Sequence, residues 1–170
     1  SMYTNLNIDY AIQCIKDYLL SFDDDTIPVA AINSGLKLLM RNNIFKFGDC
    51  IFLQLDGTAM GTPPAPPVAQ ISYGTHEIIF VPIYPQLLTY FRYIDDVFGA
   101  WTITNPAEDS QSWQSFQAHI QDFPGLTWDI SKRTHQVNFL DLTISIGADN
   151  RIHTTLYEKP LNLHLYLPPH

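Results

Sequence analysis

Phe91-Arg92-Tyr93-Ile94-Asp95-Asp96-Val97-Phe98 sets two adjacent carboxylates between two aromatic, β-rich runs. Charges cannot lie inside a buried strand without partners, because desolvating them is costly. A tight turn between two strands presents them to water or to a cation. The pattern predicts strand 87–94, a turn at Asp95-Asp96 and strand 97–103. An Asp-Asp pair alone marks a solvated turn more often than a site, so its neighbours decide how it is read.

Upstream, Ile8, Ala11, Ile12, Ile15 and Leu19 have helical spacing that ends near the acidic run Asp23-Asp24-Asp25. That run reads as a solvated loop, with a metal cluster as the alternative. Thr26 can cap a second helix with Pro28 in its first turn and Val29, Ile32, Leu36 and Leu39 on one face. Strands 44–47 and 50–55 are joined at Gly48-Asp49. A Gly/Pro-rich stretch, Asp56 to Pro67, leads into a helix over about 67–80.

Downstream, residues 110–122 fit a helix with Ser110 near its start and Trp113, Phe116 and Ile120 as its apolar face. Three strands follow, near 126–131, 136–145 and 151–158, the last two joined around Gly147-Ala148-Asp149-Asn150. Helices and antiparallel strands mixed in this order predict an α+β fold with helices packed on one face of a single sheet, and a split βαβ core accommodates the order.

The chain has 170 residues and 46% apolar content, enough for one domain with a core. The longest apolar stretch, Ile78 to Leu88, is interrupted by Pro82 and Pro85 and is too short for a bilayer, so no membrane role is expected. Cys14 and Cys50 lack ligand spacing and read as two buried thiols in a reduced, intracellular setting. The net charge of −8, nine basic residues against seventeen carboxylates, is unfavourable for gripping a phosphate backbone. Either the chain does not bind nucleic acid or the basic surfaces lie elsewhere.

Tyr93-Ile94-Asp95-Asp96 flanked by hydrophobic strands resembles the YxDD box, motif C, of reverse transcriptases. Gln54-Leu55-Asp56-Gly57-Thr58-Ala59-Met60-Gly61-Thr62-Pro63-Pro64-Ala65-Pro66 resembles motif B: a Gly, three residues, then a small residue and Pro opening a helix. Val137-Asn138-Phe139-Leu140-Asp141-Leu142-Thr143-Ile144 and Leu156-Tyr157-Glu158-Lys159-Pro160 resemble blocks of Penelope-like retroelements, relatives of telomerase. Tyr3-Thr4-Asn5 matches the end of motif A, whose metal-binding Asp would precede Ser1. The resemblance spans residues 1–170, from the tail of motif A to motif E and the strand after it.

It implies a polymerase palm with incomplete fingers and thumb, in an RNA-directed DNA polymerase (a nucleotidyltransferase) that works with RNA template, DNA primer and dNTP. Mg²⁺, with Mn²⁺ as the alternative, would be held by Asp95 and, less essentially, Asp96; two such ions activate a primer 3′-hydroxyl and stabilise the leaving pyrophosphate. Tyr3 would be the gate against a ribose 2′-hydroxyl, or simply a core or surface Tyr. Gly61 would allow close approach of nucleotide and template, or serve as a turn. Met60 follows the Penelope-like pattern, whereas Ala65 departs from the usual Ser and loses a hydroxyl. Tyr93 would pack near the primer terminus.

Lys132 would be the motif D general acid, or an exposed Lys. Phe139 and Leu140 would lie near the primer grip, or be alternating core positions in a strand. Arg92 and Lys159 would contact phosphate, or solvate a surface. On this reading the 170 residues alone are inactive and bind nucleic acid weakly, because the motif A Asp is missing and fingers and thumb carry the basic surface. A non-catalytic, domesticated palm-like module that binds nucleic acid or protein is the alternative. An RNA-dependent RNA polymerase shares the palm, but Tyr3 and the Ile of the box disfavour it. A hydrolase would need a third group that no His or carboxylate is spaced to supply.

Overall fold

A computed structural model describes residues 2–59 and 61–158 of the chain. Their elements, in order, are helices α1 (Met2–Asn5), α2 (Ile8–Leu20) and α3 (Val29–Arg41), strands β1 (Ile44–Phe47) and β2 (Cys50–Leu53), and helix α4 (Ala65–Phe80). Then come β3 (Leu87–Tyr93), β4 (Asp96–Trp101), α5 (Pro106–Gln121), β5 (Gln136–Phe139), β6 (Leu142–Ile146) and β7 (Ile152–Leu156). The fold is α+β, as expected.

The sheet differs from expectation. The described strands form three separate antiparallel sheets, β1–β2, β3–β4 and β5–β6–β7, each pairing only sequence neighbours. No ladder among them crosses a helix, so neither a single sheet nor a split βαβ core forms within the described residues. β5 instead meets β4 through side chains, Phe98 against Phe139 with ring centroids 5.7 Å apart.

α4 is the hub of the core. Pro66 and Pro67 sit in its first turn, where a missing N–H costs nothing, so it begins two residues before the expected 67. Small residues then let neighbours approach: Ala65, Ala69 and Ser72 are fully buried, and Ser72 returns its hydroxyl to the Val68 carbonyl at 2.6 Å. α2 packs against α4 and α3. It starts at Asn7, whose side chain accepts from the Tyr10 N–H at 3.0 Å, and it buries Ile8, Ala11, Ile12 and Ile15. Tyr73 of α4 donates to the Ile120 carbonyl of α5 at 2.7 Å, joining the two helices inside the aromatic core.

Several local expectations are corrected. Thr26 is no cap; its hydroxyl and N–H both donate to Asp24, and Pro28 holds the N-cap position of α3. Met40 rather than Leu39 completes the buried face of α3, for Leu39 is 55% exposed. α5 starts at Pro106 behind an Asn105 cap, four residues before the expected 110, which puts Ser110 in its interior. Segment 126–131 is no strand. Its backbone at Trp128 bonds both ways to the Gln121 side chain while Leu126, Trp128 and Ile130 pack on the core. The expected strand 136–145 is a hairpin, β5 and β6, turning at Leu140-Asp141. Both cysteines are free thiols, but Cys14 is only half-buried and Cys50 is exposed. Among the described residues no helix is long and apolar enough to cross a membrane.

Candidate active site

Strands β3 and β4 pair Tyr93 with Asp96, which leaves Ile94 and Asp95 as a two-residue loop. The turn thus lies one residue earlier than expected, and Asp96 opens β4. Ile94 has φ +54°. A β-branched residue is strongly disfavoured there, and such a conformation persists only where its surroundings over-determine it. The Ile94 side chain packs against the core, while Asp95 and Asp96 are exposed.

One face of this hairpin rests on α4. Arg92 and Glu77 are buried, with side chains 6% and 13% exposed, and form a bidentate pair: Arg92 Nε to Glu77 Oε1 at 2.6 Å and Nη2 to Oε2 at 2.8 Å. Tyr90 donates its hydroxyl to Glu77 Oε1 at 2.7 Å. Burial, and then the Glu77 carboxylate, push the Tyr90 phenol far above its ordinary value, so it stays a neutral donor. The opposite face carries exposed Phe91 and Tyr93, together with Phe98.

Asp95 and Asp96 line a cleft of about 320 Å³ with Met2, Asn5, Leu126, Thr127, Trp128 and Asp129. The N-terminal segment that resembles motif A and the hairpin that resembles motif C therefore meet at one opening. The motif-B-like loop is locked to the same segment. Thr58 donates its N–H to the Tyr3 carbonyl at 2.6 Å. Gly57 has φ +71°, and a Cβ there would stand 2.5 Å from the Tyr3 oxygen and 2.6 Å from that of Thr4, so only glycine fits.

The other expected site residues are more dispersed. Tyr3 is half-buried against the core and is not among the cleft's lining residues, whereas its neighbours Met2 and Asn5 are. Gly61 has φ +95° with open space where a side chain would project; the close approach inside the fold belongs to Gly57. Ala65 is fully buried at the start of α4. Tyr93 is 57% exposed on the outward face. Phe139 packs against Phe98, two residues beyond the Asp pair, but Leu140 is the tip of a turn at φ +53° and not a core strand position.

Lys132 lines a different opening of about 460 Å³, with Ser131, Thr134, Gln136, Val137 and Asn138. Arg92 is no phosphate contact, since its donors are spent on α4 and the turn. Met60 and Lys159 lie outside the described residues. Asp23-Asp24-Asp25 forms an exposed turn in which Asp24 accepts from Thr26.

Two neighbouring exposed carboxylates on one cleft suit a hard divalent cation that completes its shell with water and phosphate oxygens. Asp129, which sequence reasoning missed, adds a third acidic side chain to the lining. Among the described residues, however, no three His, Cys, Asp or Glu converge as a metal-binding group. Compared with protein-family models, curated proteins and solved structures, the chain matches none.

Proposed function

We propose that this chain is the palm portion of an RNA-directed DNA polymerase of a retroelement, closest to the Penelope-like kind. The observation that carries the reading is the shared cleft: Asp95 and Asp96 on a two-residue hairpin, against Met2 and Asn5 of the segment that resembles motif A. The strained Ile94 supports it, because such conformations cluster at functional sites. The contact of Phe139 with Phe98 supports a primer-grip hairpin beside the Asp pair.

In this proposal Asp95 and Asp96 hold Mg²⁺ or Mn²⁺. When bound, such ions polarise phosphate oxygens and lower the pKa of an attacking hydroxyl. The chain's own residues do the positioning. Tyr93 and Phe98 offer an apolar floor for the primer end, and Gly61 leaves room for nucleotide and template. The Gly57–Tyr3 contact fixes the motif-A-like segment relative to the loop ahead of α4.

Primer extension by the full-length protein carrying these residues tests it. Asp95→Ala is expected to lower extension by at least about 100-fold, because several kcal/mol of charge stabilisation are withdrawn. Unchanged extension by that variant sinks the role of Asp95. A second reading, a non-catalytic palm-like module, is favoured by one observation: three of the nine basic residues, Arg41, Arg92 and Arg133, are paired to carboxylates in a chain of net charge −8, which weakens its grip on a phosphate backbone.

A further inference from the structure

Arg92 spends every one of its five N–H donors inside the protein. Nε and one Nη2 hydrogen go to Glu77, the other Nη2 hydrogen goes to the Gln70 carbonyl at 3.0 Å, and Nη1 donates to Gln70 Oε1 at 2.6 Å and to the Ile94 carbonyl at 3.1 Å. The guanidinium also lies over the Tyr73 ring, 5.1 Å from its centroid. Four of these contacts tie β3 to α4. The fifth reaches the turn itself.

The Ile94 carbonyl belongs to the peptide unit that leads into Asp95. A donor fixed on that oxygen sets the plane from which Asp95 departs. The two-residue loop calls for positive φ at its first position, as at Leu140, but a β-branched residue meets a larger penalty there, and the donor on its carbonyl opposes relaxation. Glu77 satisfies two of the five donors, and the other three need acceptors because the guanidinium is buried; one of the acceptors chosen is the turn carbonyl.

We infer that the Arg92–Glu77–Gln70 clamp is a positioning device that holds Ile94 in its left-handed conformation and so aims Asp95 into the cleft. The inference rests on the palm reading and adds a residue role that the reading does not require. Outer-shell groups of this kind typically change metal affinity about 10- to 100-fold when removed.

The test uses the 170-residue chain and Mn²⁺ as probe, reading paramagnetic broadening of the Asp95 and Asp96 amide resonances. Replacing one partner would strand a buried charge, so both are replaced: Glu77→Met/Arg92→Met, a swap of a buried pair for apolar side chains that folds tolerate. Thermal unfolding reports whether that variant stays folded. The expected result is a folded protein whose Mn²⁺ midpoint at Asp95 and Asp96 rises about 10- to 100-fold. Adding Ile94→Asn to it should recover most of the loss, because Asn takes positive φ without a clamp.

Arg92→Lys, which keeps the charge but not the fork, should shift the midpoint in the same direction. An unchanged midpoint in a folded variant overturns the inference, and so does a loss that Ile94→Asn leaves uncorrected, which marks a merely structural pair. If the wild-type chain shows no selective broadening at Asp95 and Asp96, the clamp has no metal site to serve and the inference falls, while primer extension by the Asp95→Ala variant tests the palm reading separately. Selective wild-type broadening with an unmoved variant midpoint sinks the clamp alone.

Discussion

At the tips of two hairpins the chain turns in the same way. Ile94-Asp95 joins β3 to β4 and Leu140-Asp141 joins β5 to β6; in each an apolar residue sits at positive φ, +54° and +53°, with an Asp after it. The anchoring is opposite. The first hairpin is held at its tip, by Arg92 reaching from its α4 contacts to the Ile94 carbonyl. The second is held near its root, where Arg133 makes a two-pronged bond to Asp109 of α5 at 2.8 and 2.6 Å and stacks over Trp113. Its tip has a backbone bond, Tyr157 N–H to the Asp141 carbonyl at 2.8 Å. One tip is gripped by a side chain from the helix beneath it, the other by the backbone of the next strand. The carboxylate pair lies on the first.

The largest effect expected comes from breaking the tip anchor. Arg92→Met alone leaves the Glu77 carboxylate without its countercharge, with only the Tyr90 hydroxyl on it, and should cost about 3–5 kcal/mol in a urea melt. The Glu77→Met/Arg92→Met pair should recover most of that. A single-variant cost below about 1 kcal/mol, the size expected of an exposed pair, would mean that the clamp is solvated.

Glycine at the two tips sharpens the contrast on a smaller scale. Leu140→Gly removes a left-handed penalty of about 1–2 kcal/mol at a cost of about 0.5–1 kcal/mol in chain entropy, so stability should rise by roughly 0.5–1 kcal/mol. Ile94→Gly gains the same relief but loses a half-buried side chain packed on the core, which offsets it with about 1–1.5 kcal/mol. A slight net loss is expected there, and equal gains at both tips would show that they are equally free.

The root anchor reveals itself in the response of stability to acid. Hydrogen bonds from Arg133, and then from Trp101, hold the Asp109 carboxyl down at about 2, below its ordinary 3.8. A folded-state value below the unfolded one makes the contribution complete above the ordinary range. It is lost as pH falls from 3.8 towards about 2. Asp109→Asn should therefore flatten the fall of stability with pH in that window, and an unchanged pH profile would show the pair to be loose.

These particulars explain what the sequence could and could not reveal. The face of α2 was legible because Ile8, Ala11, Ile12 and Ile15 follow one helical stripe, and the carboxylate turn was placed within one residue because charge had to leave the strands. The Leu140-Asp141 turn was missed because Leu rarely takes positive φ, although the alternation slips by one residue there, from 137 and 139 to 140, 142 and 144. Leu126, Trp128 and Ile130 alternate as a strand does, yet alternation reports which side chains are buried and not whether a neighbouring strand exists to pair with. The start of α5 was recoverable, as Asn105-Pro106 is a cap followed by a first-turn proline. Arg92 read as surface because its partners, Gln70 and Glu77, are 22 and 15 residues away, a distance only the fold closes. Gly57 was passed over for Gly61 for the same reason.

Titrating the wild-type chain with Mn²⁺ while following both tips in one spectrum decides whether the tip-held hairpin, and not its root-held counterpart, is the metal-binding turn. Amides of Ile94, Asp95 and Asp96 should broaden first, followed by the cleft neighbours Asn5 and Thr127 to Asp129, with Leu140 and Asp141 unaffected at the same concentration. Equal broadening at Asp141, or at the exposed Asp23-Asp24-Asp25 turn, would contradict that assignment.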